Sequence, residues 1–237
     1  TKDPQKAKQI YQKIKQTELY DQKLGLYLTS RPLDDETLTI GRARAFTKGW
    51  LEREACFMHM SYKYLIGLMK SGLYDEYYED LKTSMPPFMD PEVYGRSLLE
   101  NVSFIATSNN PNPKNHGRGF VARLTGTTSE AITLLYLMVL GKKLFDMDQK
   151  ELTFKVEPKL KKDFFDENQE VSIKLFSDIE IIIKNPTLKD TYHGVKAISY
   201  ELINDEDTII VYDHVVRGEL AQAIREKTFK KVIVTLG

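Results

Sequence analysis

The stretch Thr128–Phe145, "TSEAITLLYLMVLGKKLF", decides how this chain is read. Thr128–Leu140 is apolar on nearly every side, which predicts a buried helix, and Gly141 closes it. Beyond Phe145 the pattern changes. "LTFKVEP", "VSIKLF", "IEIIIKNP", "KAISYEL", "TIIVYD" and "KVIVTL" are short, β-branched and bounded by Asn, Asp, Pro and Gly, as strands are. Their spacing predicts an antiparallel β-sandwich, with "IREK" as a helical turn or short helix before the last strand. Upstream the texture is helical. Residues 4–18 alternate Lys and Gln with Ile10, Tyr11 and Ile14, as a solvent-facing helix does. Trp50, Phe57, Met58, Leu65 and Leu68 recur at helical spacing from Trp50 to Lys70. Ser71-Gly72 stops that helix, and Leu73–Thr83 follows almost at once, the pattern of an antiparallel helix pair. "MPPFMDPEVYGR" carries three prolines and cannot be one helix. Leu98–Thr107 fits helix or strand. The chain reads as mixed α and β, with helices over residues 1–145 and a β domain over residues 146–237.

Bulk properties exclude several classes of function. Lys plus Arg, 34, equals Asp plus Glu, 34, so no global charge points to nucleic acid or an anionic membrane. The single cysteine, Cys56, rules out a disulfide framework and suits a reducing, cytoplasmic compartment. The longest apolar run, Leu134–Leu140, is far short of a bilayer span, and no secretory leader pattern is present. A soluble chain is expected. It begins at Thr1 in "TKDPQKAKQIYQKIKQ", which reads like the middle of something longer.

The residues ahead of the apolar helix, "HGRGFVARLTGTTSEA" (His116–Ala131), carry the first candidate site. Thr127 and Glu130 have capping-box spacing, so Thr127 is expected to cap the helix. Helix N-termini present free N–H groups and a positive dipole end, and Gly126 lets a ligand come close to the backbone. With His116, Arg118 and Arg123 nearby in sequence, phosphate or sulfate is a natural guest; pairing of the arginines with local carboxylates is the plainer alternative. A second candidate lies in "LEREACFMHMSYKY" (Leu51–Tyr64), where His59 follows Glu52 by two helical turns, on one expected face. His59 as an ordinary hydrogen-bonded core histidine stands beside that reading. His193 and His214 lack acidic or Cys neighbours at ligand spacing, so no metal site is expected. The acidic runs Asp34–Glu36 and Asp205–Asp207 have the hydrophilic, turn-like context of solvated loops. No Ser-His-Asp arrangement, P-loop or dinucleotide fingerprint occurs.

Taken in order, "LEREACFMHMSYKY", "SGLYDEYYEDL", "DPEVYGRSLLENVSF" and "RGFVARLTGTTSEA" resemble the end of the catalytic barrel of glycoside phosphorylases related to cellobiose phosphorylase (glycoside hydrolase family 94). "LTFKVEPKL" and "DIEIIIKNP" resemble that family's C-terminal β domain, and the wording of the whole is most similar to the β-1,2-oligoglucan branch. The resemblance runs from about Gly41 onward. It implies a multi-domain fragment: the last helices of an (α/α)6 barrel followed by the sandwich. It also implies inverting phosphorolysis of a β-glucan oligosaccharide or disaccharide to glucose 1-phosphate, with inorganic phosphate as co-substrate and no metal or organic cofactor. The family's phosphate seat uses a histidine and a later Thr-Gly pair, which match His59 and Thr125-Gly126, 66 positions apart (125 − 59). A sugar-binding glutamate matches Glu52. His116, Arg118 and Arg123 match no family contact. Arg53-Glu54 stands where the family has Asn-Gly, and Leu51 where it has a polar sugar ligand. The family's general acid and phosphate-binding arginines match no position here. The implied partners are therefore phosphate, the glucan and the N-terminal part of the same enzyme. Apolar helix faces left without neighbours would favour a homo-oligomer. The reading from another class is a non-catalytic carbohydrate-binding protein in which Trp50, Tyr94 and Phe120 stack on sugar; a plain interaction domain would bind neither ligand.

Overall fold

The computed structural model describes residues 3–122 and 125–237. Two compact units emerge, Thr1–Leu134 and Leu135–Gly237.

In the first unit α1 (Pro4–Ile14) begins on an Asp3 cap whose carboxylate accepts from the Gln5 and Lys6 N–H groups, with proline at the first helical position, where its missing donor costs nothing. It ends short of the expected residue 18, because Thr17 folds both its N–H and its hydroxyl back onto the Ile14 carbonyl. A two-residue ladder joins β1 (Tyr20–Asp21) to β2 (Leu26–Tyr27). The expected helix from Trp50 is shorter: β3 (Cys56–Phe57) precedes α2 (Met58–Lys70). Upstream of β3, Trp50 and Arg53 exchange backbone hydrogen bonds across a tight turn, and Leu51 and Glu54 have φ of 49° and 59°. Two left-handed residues are incompatible with a helix. Glu52 therefore sits at a turn, and its expected stacking with His59 on one helical face is corrected.

Helix α2 closes in a Schellman stop: the Leu73 N–H reaches the Leu68 carbonyl and the Gly72 N–H the Met69 carbonyl. Helix α3 (Tyr74–Ser84) then packs against α2 as the antiparallel pair requires. The proline-rich segment forms a single 3-10 turn and the short α4 (Pro91–Tyr94). The ambiguous stretch resolves as β4 (Val102–Ile105), which pairs antiparallel with β3 on one side and β5 (Gly119–Ala122) on the other. Helix α5 (Thr125–Val139) follows β5. Cys56 is fully buried on β3, and burial pushes its thiol up to about 12.

In the second unit β6 (Phe145–Asp148), β7 (Glu151–Phe154) and β12 (Val216–Arg217) form a three-stranded sheet in the order β12-β7-β6. The larger sheet holds β8 (Glu170–Leu175), β9 (Ile179–Lys184), β10 (Ala197–Ile203), β11 (Thr208–Val211) and β13 (Lys231–Leu236) in the order β11-β10-β13-β9-β8. All six expected strands are present. The expectation of a wholly antiparallel sandwich is corrected at one ladder, since β9 and β13 run parallel. The chain reaches β13 through α6 (Gly218–Arg225), which starts upstream of the "IREK" stretch and ends within it. One face of β9, β10 and β13 buries Ile181, Ile183, Tyr200, Leu202, Val232 and Val234. Gly141, at φ 92°, ends α5 where a Cβ would stand 2.6 Å from the Glu157 carbonyl oxygen, so the position demands glycine.

The expected all-round burial of α5 is also corrected: Leu134, Met138 and Val139 are buried, but Ile132 and Leu135 are exposed. Among the described residues the six α-helices close no barrel, and none is long and apolar enough to cross a membrane.

Candidate functional site

The small sheet of the first unit explains how residues far apart in sequence meet. Both β3 and β5 are antiparallel to the central β4, so they run in the same direction. Each leads at the same end of the sheet toward a helix, β3 directly into α2 and β5 toward α5. Their strand axes lie roughly 10 Å apart, two strand spacings. Two helix N-termini are thereby delivered side by side, each with first-turn N–H groups that have no intrahelical acceptor and with a positive dipole end. The first turn of α2 receives no side-chain cap, because its N-cap is Phe57.

His59 is the second residue of α2 and Gly126 the second of α5. A Cβ on Gly126 would stand 3.3 Å from His59 Cε1 and Nδ1, so the glycine gives the imidazole room to lie against the start of α5. The other ring nitrogen, Nε2, stands 3.5 Å from Glu130 Oε1, and Lys63 Nζ stands 3.8 Å from the same oxygen. Lys63 follows His59 by one turn on the same helical face. The His59 side chain is 44 % exposed and that of Lys63 61 %, so both reach solvent. The site thus collects a histidine, a lysine and two helix N-termini around one carboxylate.

The sheet beneath is aromatic. Phe57, Phe104 and Phe120 form one cross-strand row, their rings stacked at centroid distances of 5.8 and 5.5 Å. Trp50 packs on Phe104 and Phe120 at 5.0 and 4.4 Å. This row stiffens the platform from which both helices spring.

The structure brings together His59 and Gly126; Thr125 opens α5. Arg123 lies outside the described residues. His116 and Arg118 are engaged elsewhere: His116 Nε2 is 2.8 Å from the Asn110 carbonyl oxygen, and the Arg118 guanidinium lies over Gly95, where a Cβ would meet Nη2 at 2.5 Å. Glu52 pairs with Arg42. Thr127 does not cap α5: it is the third helical residue, fully buried, and its hydroxyl has no partner among the described residues. The helix starts three residues earlier than capping-box spacing implies (Thr125 rather than Thr128), which frees Glu130 to face α2. Tyr94 is buried, with its hydroxyl donating to the Glu100 carbonyl, so it offers no face to a sugar. Sequence reasoning passed over Lys63, although its spacing from His59 marked the shared face. Among the described residues no group of three or more His, Cys, Asp or Glu is placed to hold a metal ion.

A substitution separates the site from the fold. Gly126→Ala gains helix propensity, up to about 1 kcal/mol, while its methyl presses a half-exposed imidazole that can turn aside. The expected result is an unchanged or slightly raised melting temperature together with a displaced His59 imidazole resonance. A lowered melting temperature would show that the ring cannot give way.

No protein-family model matches the chain, and no curated protein matches it.

Proposed function

We propose that this chain is the C-terminal part of an inverting glycoside phosphorylase of the cellobiose phosphorylase kind, and that the paired helix N-termini at His59 and Gly126 seat inorganic phosphate. The supporting observation is the convergence itself. Residues 59 and 126 meet because two parallel strands, β3 and β5, end at neighbouring helix starts. Such a place favours an anion twice over, through directed N–H groups and through dipole ends. His59 and Lys63 add charge-assisted donors.

In the proposed reaction a phosphate oxygen attacks the anomeric carbon while the glycosidic C–O bond breaks on the opposite face. A carboxylic acid gives its proton to the departing oxygen. Phosphate stands where an inverting hydrolase holds a base-activated water, so the protein supplies one carboxyl group and an anion seat. The carboxyl group and further phosphate-binding arginines belong to the barrel segments that complete the enzyme. Glu52, which pairs with Arg42, is the residue that by resemblance to the family would contact sugar. Exposed apolar residues on α2 and α5, Met60, Ile132 and Leu135, are surfaces that neighbouring barrel helices or a second copy would cover. The products are glucose 1-phosphate and the shortened glucan, made in the cytoplasm without a metal or organic cofactor. The carbohydrate-binding alternative loses support, because Tyr94 is buried and Trp50 and Phe120 pack on each other.

The test is His59→Ala. In the complete enzyme it is expected to raise the phosphate KM by roughly 10-fold or more, the worth of one charge-assisted hydrogen bond, and to lower kcat. In the chain itself it is expected to abolish the response of the site to added phosphate. Phosphate kinetics identical to those of the unsubstituted enzyme would overturn the assignment.

A further inference from the structure

We propose that Glu130 is a built-in anion: its carboxylate occupies the phosphate seat when phosphate is absent and must swing out when phosphate binds. This rests on the phosphate reading of the site and adds a competitor to it. Glu130 is the sixth residue of α5, and helical side chains tilt toward the N-terminus, so its carboxylate covers the turn that contains Gly126. There it faces the dipole ends, His59 and Lys63, the same groups that would hold phosphate.

The distances show a carboxylate that is held loosely. At 3.5 Å from His59 Nε2 and 3.8 Å from Lys63 Nζ it lies within ion-pair range of both, yet beyond the 2.7–3.2 Å of a formed N–H···O bond. Its side chain is 23 % exposed, which leaves it a way into water. Phosphate at neutral pH carries one to two negative charges, and it cannot share His59 and Lys63 with a carboxylate a few ångströms away without repulsion. Binding therefore transfers His59 and Lys63 from Glu130 to phosphate, and the carboxylate rotates into solvent. While the seat is empty the carboxylate offsets part of its positive charge, so weakly held anions are turned away.

The experiment is a titration of inorganic phosphate into the folded chain, followed through the imidazole C–H resonances. The chain has four histidines, so the His59 signal is identified by its loss in His59→Gln. Glu130→Gln keeps the shape of the side chain and removes its charge. It is expected to bind phosphate roughly 3- to 10-fold more tightly, as removal of one nearby like charge at a half-exposed site implies. Glu130→Ser should do the same, and Glu167→Gln, an exposed change in the second unit, should leave affinity unaltered. Circular dichroism checks that each variant is folded. Equal or weaker binding by both Glu130 variants would overturn the proposal, weaker binding making Glu130 a positioning residue for His59 instead. A His59 signal that ignores phosphate in every variant, the unsubstituted chain included, would remove the phosphate reading and this proposal together.

Discussion

Replacing Asp80 by alanine is expected to lower the free energy of unfolding by about 3 kcal/mol, the scale found when one partner of a buried ion pair is removed. Asp80, on α3, is 1 % exposed. It accepts from the Tyr27 hydroxyl at 2.6 Å and the Tyr11 hydroxyl at 3.5 Å, and pairs with Lys15 Nζ at 2.8 Å. One carboxylate thus ties together α1, β2 and α3. Burial pushes its own carboxyl above the ordinary value, although Lys15 and Tyr27 pull the other way. Burial lowers Lys15, but bonds to Asp80, Glu79 and Tyr11 outweigh it and hold the ammonium above its ordinary 10.5. A base raised on folding stabilises at every pH below its unfolded value and loses that contribution only as pH climbs through the folded one. The part of the loss that comes from Lys15 should therefore be complete at neutral pH and shrink only in strong alkali. Trp50 is the single tryptophan and lies in the first unit, so its fluorescence reads the transition. A denaturant midpoint unmoved at neutral pH would refute the assignment.

In the second unit the largest effect is expected from Tyr200→Ala, about 4 kcal/mol. Tyr200 is fully buried on β10, and its ring meets Phe154 of β7 edge to face at 6.0 Å. Its hydroxyl donates to the His214 carbonyl at 3.0 Å and accepts from the Val156 N–H at 3.2 Å. One side chain therefore joins the two sheets of that unit both by packing and by hydrogen bonds. Tyr200→Phe divides the two contributions: it leaves no cavity but strands a buried N–H and a carbonyl, for about 1–3 kcal/mol. Faster amide exchange in β9, β10 and β13 measures both variants. If Tyr200→Phe were neutral, the hydroxyl would be a passenger and packing alone would join the sheets.

The strands of the second unit were legible because their signal is local. A run such as Ile179–Lys184 has the composition of a strand whatever it pairs with. The parallel pairing of β9 with β13 was not legible, because it depends on where α6 carries the chain. In the first unit the apolar spacing from Trp50 to Leu68 imitated a helix throughout, yet Leu51 and Glu54 take left-handed angles that no periodicity encodes. A resemblance to known phosphorylases marks His59 and Gly126, but their meeting follows from a three-stranded sheet that the sequence does not announce: β3 lies inside the expected Trp50–Lys70 helix, β4 in a stretch that fits helix or strand, and β5 carries no strand expectation. In sequence Glu130 has the spacing of half a capping box with Thr127. That local pattern was real in spacing but lost to the actual helix start at Thr125, and the side chain turned toward α2 instead.

The strand order of the larger sheet also governs the order in which that unit can be completed. On one side stand β8 and β9, on the other β10 and β11, each pair joined by a short connection and able to form as a local hairpin. The strand between them, β13, leaves the ribosome after all four. Until it arrives, β9 and β10 each present an unpaired edge and half of an apolar face. Closure of the sheet is thus the insertion of a latecomer between two preformed halves, a non-local and therefore slow step. A nascent chain stalled ahead of Lys231 would be the most aggregation-prone form of this protein, and the one most in need of a chaperone.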